Sequence, residues 1–185
     1  MSDKLQFVDL SSMDLSLWRL TKSQTEVYAT TQRQTEVCRT AMTDQWSTKE
    51  TTSHQDHVIA HVIGASVLGY FVHDEAVHLF LDMGFVWTVY LDGQMVLLPQ
   101  GMAVGELEVD SSIKAELNRE VEKLQRERDA APNLQYITAV TGEVEISEVS
   151  FSASDDRRRL ILSGDHMSLT IETSISTAAI KVTAG

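Results

Sequence analysis

A chain of 185 residues with 43% apolar and 23% charged side chains has the size and composition of one globular domain. Such a chain buries roughly 70% of its unfolded surface without staples, which excludes wholesale disorder. The formal net charge of −12 repels phosphate backbones, so nucleic acid is not an expected partner.

The one basic run, Arg157, Arg158 and Arg159, directly follows Asp155 and Asp156, which offset it. A single cysteine, Cys38, excludes an internal disulfide framework and fits a reducing, cytoplasmic setting. The first ten residues mix charged and apolar side chains and lack the apolar core of a signal peptide. The longest apolar stretch, 58–72, contains His61 and two glycines and is too short to span a membrane. No membrane association is expected.

Residues 11–55 are polar and rich in Thr and Gln, with an echo of Gln24-Thr25-Glu26-Val27 in Gln34-Thr35-Glu36-Val37. Leu17, Leu20, Val27, Cys38 and Ala41 fall on helical spacing, whereas the many Thr residues favour strand. This segment reads as a helix or an N-terminal arm with a weakly apolar stripe that needs a partner surface.

Residues 58–109 read as β-hairpins. Val58, Ile59, Val62 and Ile63 have helical spacing, but β-branched content and Gly64 and Gly69 favour a strand over 62–73. A turn at Asp74-Glu75 pairs Val72 with Val77, Tyr70 with Leu79 and Leu68 with Leu81. From Val77 to Leu91 every second residue is apolar, the period of a strand with one buried face. Asp92-Gly93 suits a two-residue turn, which sets Val89 against Val96 and Trp87 against Leu98, and Pro99 ends the return strand.

Residues 112–129 form a predicted helix with Ile113, Leu117, Val121 and Leu124 on one stripe, N-cap candidates at 110–112, and Pro132 as the stop. Glu122 and Arg126 are spaced for an ion pair. Residues 134–183 read as a β-meander. Two-residue turns at Asp155-Asp156 and Gly164-Asp165 bring Val149, Leu162 and Met167, and Phe151, Leu160 and Leu169, onto one face. Ile171 and Ile175 continue the alternation, and 179–182 adds a last strand.

The sum is an α+β fold of about seven strands, predominantly antiparallel β-hairpins and a C-terminal β-meander, with one or two helices packed on the sheet, in a single domain over 1–185.

Five of the six histidines lie between positions 54 and 78. On a helix His54, His57 and His61 share a narrow arc and can face a metal ion; on a strand His54 points away from the other two. No H-E-x-x-H pattern is present, and surface histidines are the ordinary reading. His73 and His78 form a second cluster on one sheet face, as a metal pair or a pH-sensitive patch, or simply as solvated turn neighbours. Cys38 has no sequence cue to a partner base. No nucleophile elbow, P-loop or dinucleotide fingerprint occurs, so no catalytic residue and no cofactor is expected. The paired carboxylates at 74–75 and 155–156 are explained by turns.

The strand face carrying Phe71, His78, Phe80, Val86, Thr88 and Tyr90 is more apolar than solvent contact requires. A cover is expected from the N-terminal arm, the 112–129 helix or another subunit. The leading expectation is a non-catalytic interaction or assembly module forming a homo-oligomer. The second is a domain for a small apolar ligand, with a pocket between sheet and helix lined by Phe80, Trp87 and Tyr90. The third is a metal-dependent enzyme using His54, His57 and His61.

Overall fold

The structure, a computed structural model, describes residues 45–127, 133–142 and 144–185. The reading of 11–55 as arm or helix, Cys38 included, lies outside the described residues as far as residue 44. Trp46–Gly185 form one compact unit.

Among the described residues the strands are β1 (Ser47–Thr48), β2 (Val67–His73), β3 (Ala76–Leu81), β4 (Phe85–Tyr90), β5 (Met95–Pro99), β6 (Thr138–Ala139), β7 (Glu148–Ser154), β8 (Arg157–Ser163), β9 (Ser168–Ser174) and β10 (Ala179–Ala184). The helices are α1 (Ser53–Val62), α2 (Gln100–Glu106) and α3 (Ser111–Arg126). The strands make two antiparallel five-stranded sheets, ordered β5-β4-β3-β2-β6 and β1-β7-β8-β9-β10. The class is α+β, with ten strands where the sequence suggested about seven.

Facing sides of the two sheets share one apolar cluster. Val77, Leu79, Leu81, Trp87, Val89 and Met95 come from the first sheet, and Phe151, Leu160, Leu162, Leu169 and Ile171 from the second. Val58 and Val62 of α1 join it. A second cluster on the other side of the first sheet unites Phe80 and Val86 with Val104 of α2 and Leu117, Val121 and Leu124 of α3. Gly69 serves that approach, because a Cβ there would lie 2.9 Å from Ile137 Cγ2 and 3.1 Å from Leu124 Cδ1.

The expected strand over 62–73 is corrected at its start. A capping box between Thr52 and Gln55 nucleates α1, and Val58 and Val62, four residues apart, bury on one side of it. Gly64, at φ +83°, turns the chain out before β2. The helical spacing was the stronger signal, since a cap satisfies backbone donors that β-propensity leaves open.

The unbroken alternation from Val77 to Leu91 is two strands. The chain reverses at 82–84, with Gly84 at φ +81°. β3 and β4 pair odd residues with odd ones, as in Leu79 with Trp87 and Val77 with Val89, so the pattern survives the reversal.

The β4–β5 register differs from the expected one by one residue. Val89 lies opposite Met95 and Trp87 opposite Leu97. Tyr90 accepts from the Gly93 N–H, and the Tyr90 N–H reaches Gln94 O, with Gly93 at φ +89°. This is a three-residue loop closed by a left-handed glycine. It puts Met95, fully buried, in the core.

At β2–β3, Val72 meets Val77 and Tyr70 meets Leu79 as expected, but a bulge between Val67 and Gly69 places Val67 opposite Leu81. Leu68 turns to the other face and joins the second cluster. Asp74 and Glu75 both have positive φ, the conformation a two-residue hairpin turn needs.

The 112–129 helix is observed as α3, ending at Arg126, and Glu122 pairs with Arg126 at 3.7 Å. Residues 100–106, expected within the hairpin region, form α2 directly after Pro99. In the C-terminal sheet Val149 faces Leu162 and Phe151 faces Leu160. Beyond that, Leu162 faces Leu169 rather than Met167. The loop spans four residues, closed by Gly164 N–H to Met167 O. A shift of two residues keeps each side chain on its face. Ile175 lies past β9 and is exposed. Residues 138–139 pair with β2 in the first sheet rather than joining the meander.

Candidate functional site

β10 is the last strand of its sheet, and among the described residues it pairs with β9 alone. Ser168 and Gly185 exchange both backbone bonds, at 2.8 and 2.9 Å. In an antiparallel ladder such pairs recur at every second residue, so Thr183, Lys181 and Ala179 also turn their backbone groups toward β9. Ile180, Val182 and Ala184 therefore present their N–H and C=O groups away from it. The Ile180 and Val182 side chains pack against the inter-sheet core, while Lys181 stands on the outer face opposite Glu172. The strand carries one charge, no proline and no bulge, so few of the usual devices for blunting an edge are present.

The histidines divide. His54, His57 and His61 all sit on α1 and all are exposed. His54 donates from Nε2 to the Met95 carbonyl at 2.9 Å. His57 and His61 lie ring against ring, with centroids 4.5 Å apart, and His61 donates from Nδ1 to the His57 carbonyl at 2.8 Å. Among the described residues no group of three or more His, Cys, Asp or Glu is placed to hold a metal ion.

His78 sits mid-sheet on the face of the second cluster, 8% exposed, with Nδ1 2.9 Å from Thr88 Oγ1. Its ring stacks on Phe71, 4.5 Å between centroids, and among the described residues its buried Nε2 has no hydrogen bond. Burial pushes its pKa down from 6.5 to about 4; the His73 backbone and the Asp74 carboxylate oppose this with smaller effects, and the His73 imidazole adds to it. His73 itself ends β2 opposite Ala76 and is half-buried.

Phe80, Trp87 and Tyr90 are not brought together. Trp87 is fully buried between the sheets, and Phe80 is buried on the opposite face. Tyr90 is 40% exposed and edges a recess with Gly93, Phe151, Arg158 and Thr173. Even and odd positions of adjoining strands point to opposite faces, so Trp87 and Phe80 cannot line one pocket.

Several polar anchors had no sequence signal. Glu120, 4% exposed within α3, accepts from the backbone N–H groups of Gln135, Tyr136 and Ile137. Arg157 and Arg159 both pair with Glu172 of β9, Arg159 at 2.6 Å and Arg157 at 3.3 Å. Both lie over the Trp46 ring, at 5.0 and 3.8 Å from its centroid for Arg157 and Arg159. Asp156 takes the hydroxyls of Ser176 and Ser174, which hold its carboxyl down at about 2.

No protein-family model, curated protein or solved structure matches this chain.

Proposed function

We propose that the chain is an assembly module that pairs with a second copy of itself along β10. The observation that carries this reading is the outward N–H and C=O row at Ile180, Val182 and Ala184, deduced from the β9–β10 ladder. On this reading α2 and α3 cover the outer face of the first sheet through the cluster around Phe80 and Leu117. Among the described residues, the β10 edge is then a surface left for association.

A two-fold pairing must match outward residues with outward residues. Val182 opposite its own copy does so, setting Ile180 opposite Ala184 and Lys181 opposite Thr183. That register forms about six backbone hydrogen bonds and extends the inter-sheet core across the junction. Sliding by one pair toward Lys181 sets two like charges face to face, which is unfavourable.

The magnitudes favour a reversible dimer. Six net hydrogen bonds contribute roughly 3–9 kcal/mol, against an association cost of roughly 4–15 kcal/mol. Added apolar contact from Ile180 and Val182 leaves a modest, concentration-dependent affinity. The separation of Phe80 from Trp87 removes support from the ligand pocket.

Sedimentation of the full chain over a wide concentration range tests the proposal. A monomer–dimer equilibrium is expected, weakened at least tenfold by Ala184→Pro. That substitution removes an outward N–H at an exposed position where β9 needs none. A chain that stays monomeric at every concentration, or a dimer indifferent to Ala184→Pro, overturns it.

A further inference from the structure

We infer that His57 and His61 on the exposed face of α1 form a chelating site for one divalent transition-metal ion of the copper, nickel and zinc class. The inference is independent of the β10 edge. Positions i and i+4 on a helix stand one above the other, and the two imidazoles lie with centroids 4.5 Å apart. An imidazole nitrogen bonds such an ion at about 2.0–2.1 Å, so two rings sharing one ion at neighbouring coordination positions have centroids about 4.5–5 Å apart.

The second feature is the His61 tautomer. Its Nδ1 donates to the His57 carbonyl at 2.8 Å, which leaves the Nε2 lone pair free. A backbone carbonyl on the far nitrogen is the usual support of a metal-binding histidine, because it fixes both ring orientation and protonation site. Among the described residues the His57 imidazole makes a ring contact with His61 and no hydrogen bond, so the ring is available to turn.

The scaffold is rigid where the site needs it. The capping box fixes the start of α1, Gln55 donates to the Gly93 carbonyl at 2.7 Å, and Val58 and Val62 are buried. His61 lies in the last helical turn, where the negative end of the helix dipole favours a cation. The chain's net charge of −12 acts in the same direction. His54 is not a third ligand, since its Nε2 is held by Met95 O. Two protein nitrogens leave the remaining positions to water, an arrangement that favours Cu(II) over the other ions of the series.

Calorimetric titration of the full chain with Cu(II), Ni(II) and Zn(II) in a non-coordinating buffer tests the site. One ion per chain is expected, tightest for Cu(II), with a visible Cu(II) absorption band of nitrogen ligation. His57→Gln or His61→Gln should each weaken binding by about 100-fold, because the second imidazole acts at high effective concentration. His54→Gln and Cys38→Ser should leave it unchanged, and far-UV circular dichroism should show each variant folded. Absence of binding overturns the inference, as does binding that survives His57→Gln in a folded variant or is lost with His54→Gln or Cys38→Ser.

Discussion

Phe71 and His78 stack across the β2–β3 pair with ring centroids 4.5 Å apart and planes inclined by 15°. The stack holds a titratable ring at a buried position where desolvation of the charged form outweighs the help of the His73 backbone and the Asp74 carboxylate, and where Nε2 has no hydrogen bond among the described residues. Folded His78 keeps its pKa near 4, well below the 6.5 of the open chain. Between those values the unfolded chain binds more protons, so stability is full above pH 6.5 and falls as pH drops toward 4. The loss is about 3 kcal/mol. Denaturant midpoints at pH 7 and pH 4 should show it, and His78→Gln should flatten the difference. An equal acid loss in that variant would refute the assignment.

The pairing register proposed for β10 has a sign that substitution can read. Thr183 is exposed on the outer face and stands opposite the second copy's lysine at 181. Thr183→Lys should weaken the dimer and Thr183→Glu strengthen it, each by a few-fold, the scale of a cross-strand charge pair. Added salt should strengthen the parent dimer, because two chains of net charge −12 repel. Sedimentation equilibrium at two ionic strengths distinguishes these outcomes from their opposites.

Glu120 ties α3 to residues 135–137 through three backbone donors. Glu120→Ala leaves those N–H groups buried without acceptors and should cost about 3–5 kcal/mol, a charge-assisted network lost at once. Glu120→Gln keeps one acceptor oxygen and should cost less, about 1–3 kcal/mol. Chemical unfolding of both variants checks the order. Equal losses would mean that packing, not acceptance, is what the side chain supplies.

Gly93 and Gly64 have similar left-handed φ values, +89° and +83°, but different surroundings. A Cβ on Gly93 would lie 2.5 Å from Phe151 Cζ, whereas nothing stands within 4 Å of one on Gly64. Gly64→Ala should therefore cost only the backbone strain, about 1–2 kcal/mol. Gly93→Ala should cost more, because the Phe151 ring must move. Thermal unfolding of the pair measures the difference, and similar losses would refute the steric part.

Much of the second half was legible because its pattern is redundant. Val149 opposite Leu162 and Phe151 opposite Leu160 follow from a turn at Asp155-Asp156 and an alternation that a one-residue slip would destroy. A two-residue shift at Leu169 is invisible to that pattern for the same reason, since it leaves the faces unchanged. The hairpin at Gly93 failed by one residue because Asp-Gly serves both two- and three-residue loops. The choice fell to Met95, which the shorter loop would have turned from the core. At the histidines, spacing alone allowed a helical arc, but which two rings meet depended on what held the third. His54 was claimed by the carbonyl of Met95, forty-one residues away.

By itself the sequence determined the α+β class, the hairpins and the amphipathic α3, because these rest on periodicity and turn chemistry carried by neighbouring residues. Only the tertiary structure decided that the strands divide into two sheets facing across a common core. It also decided that Trp87 and Phe80 lie on opposite sides of one sheet, and that β10 ends the other. Those outcomes depend on contacts between distant segments, whose energies no local pattern encodes.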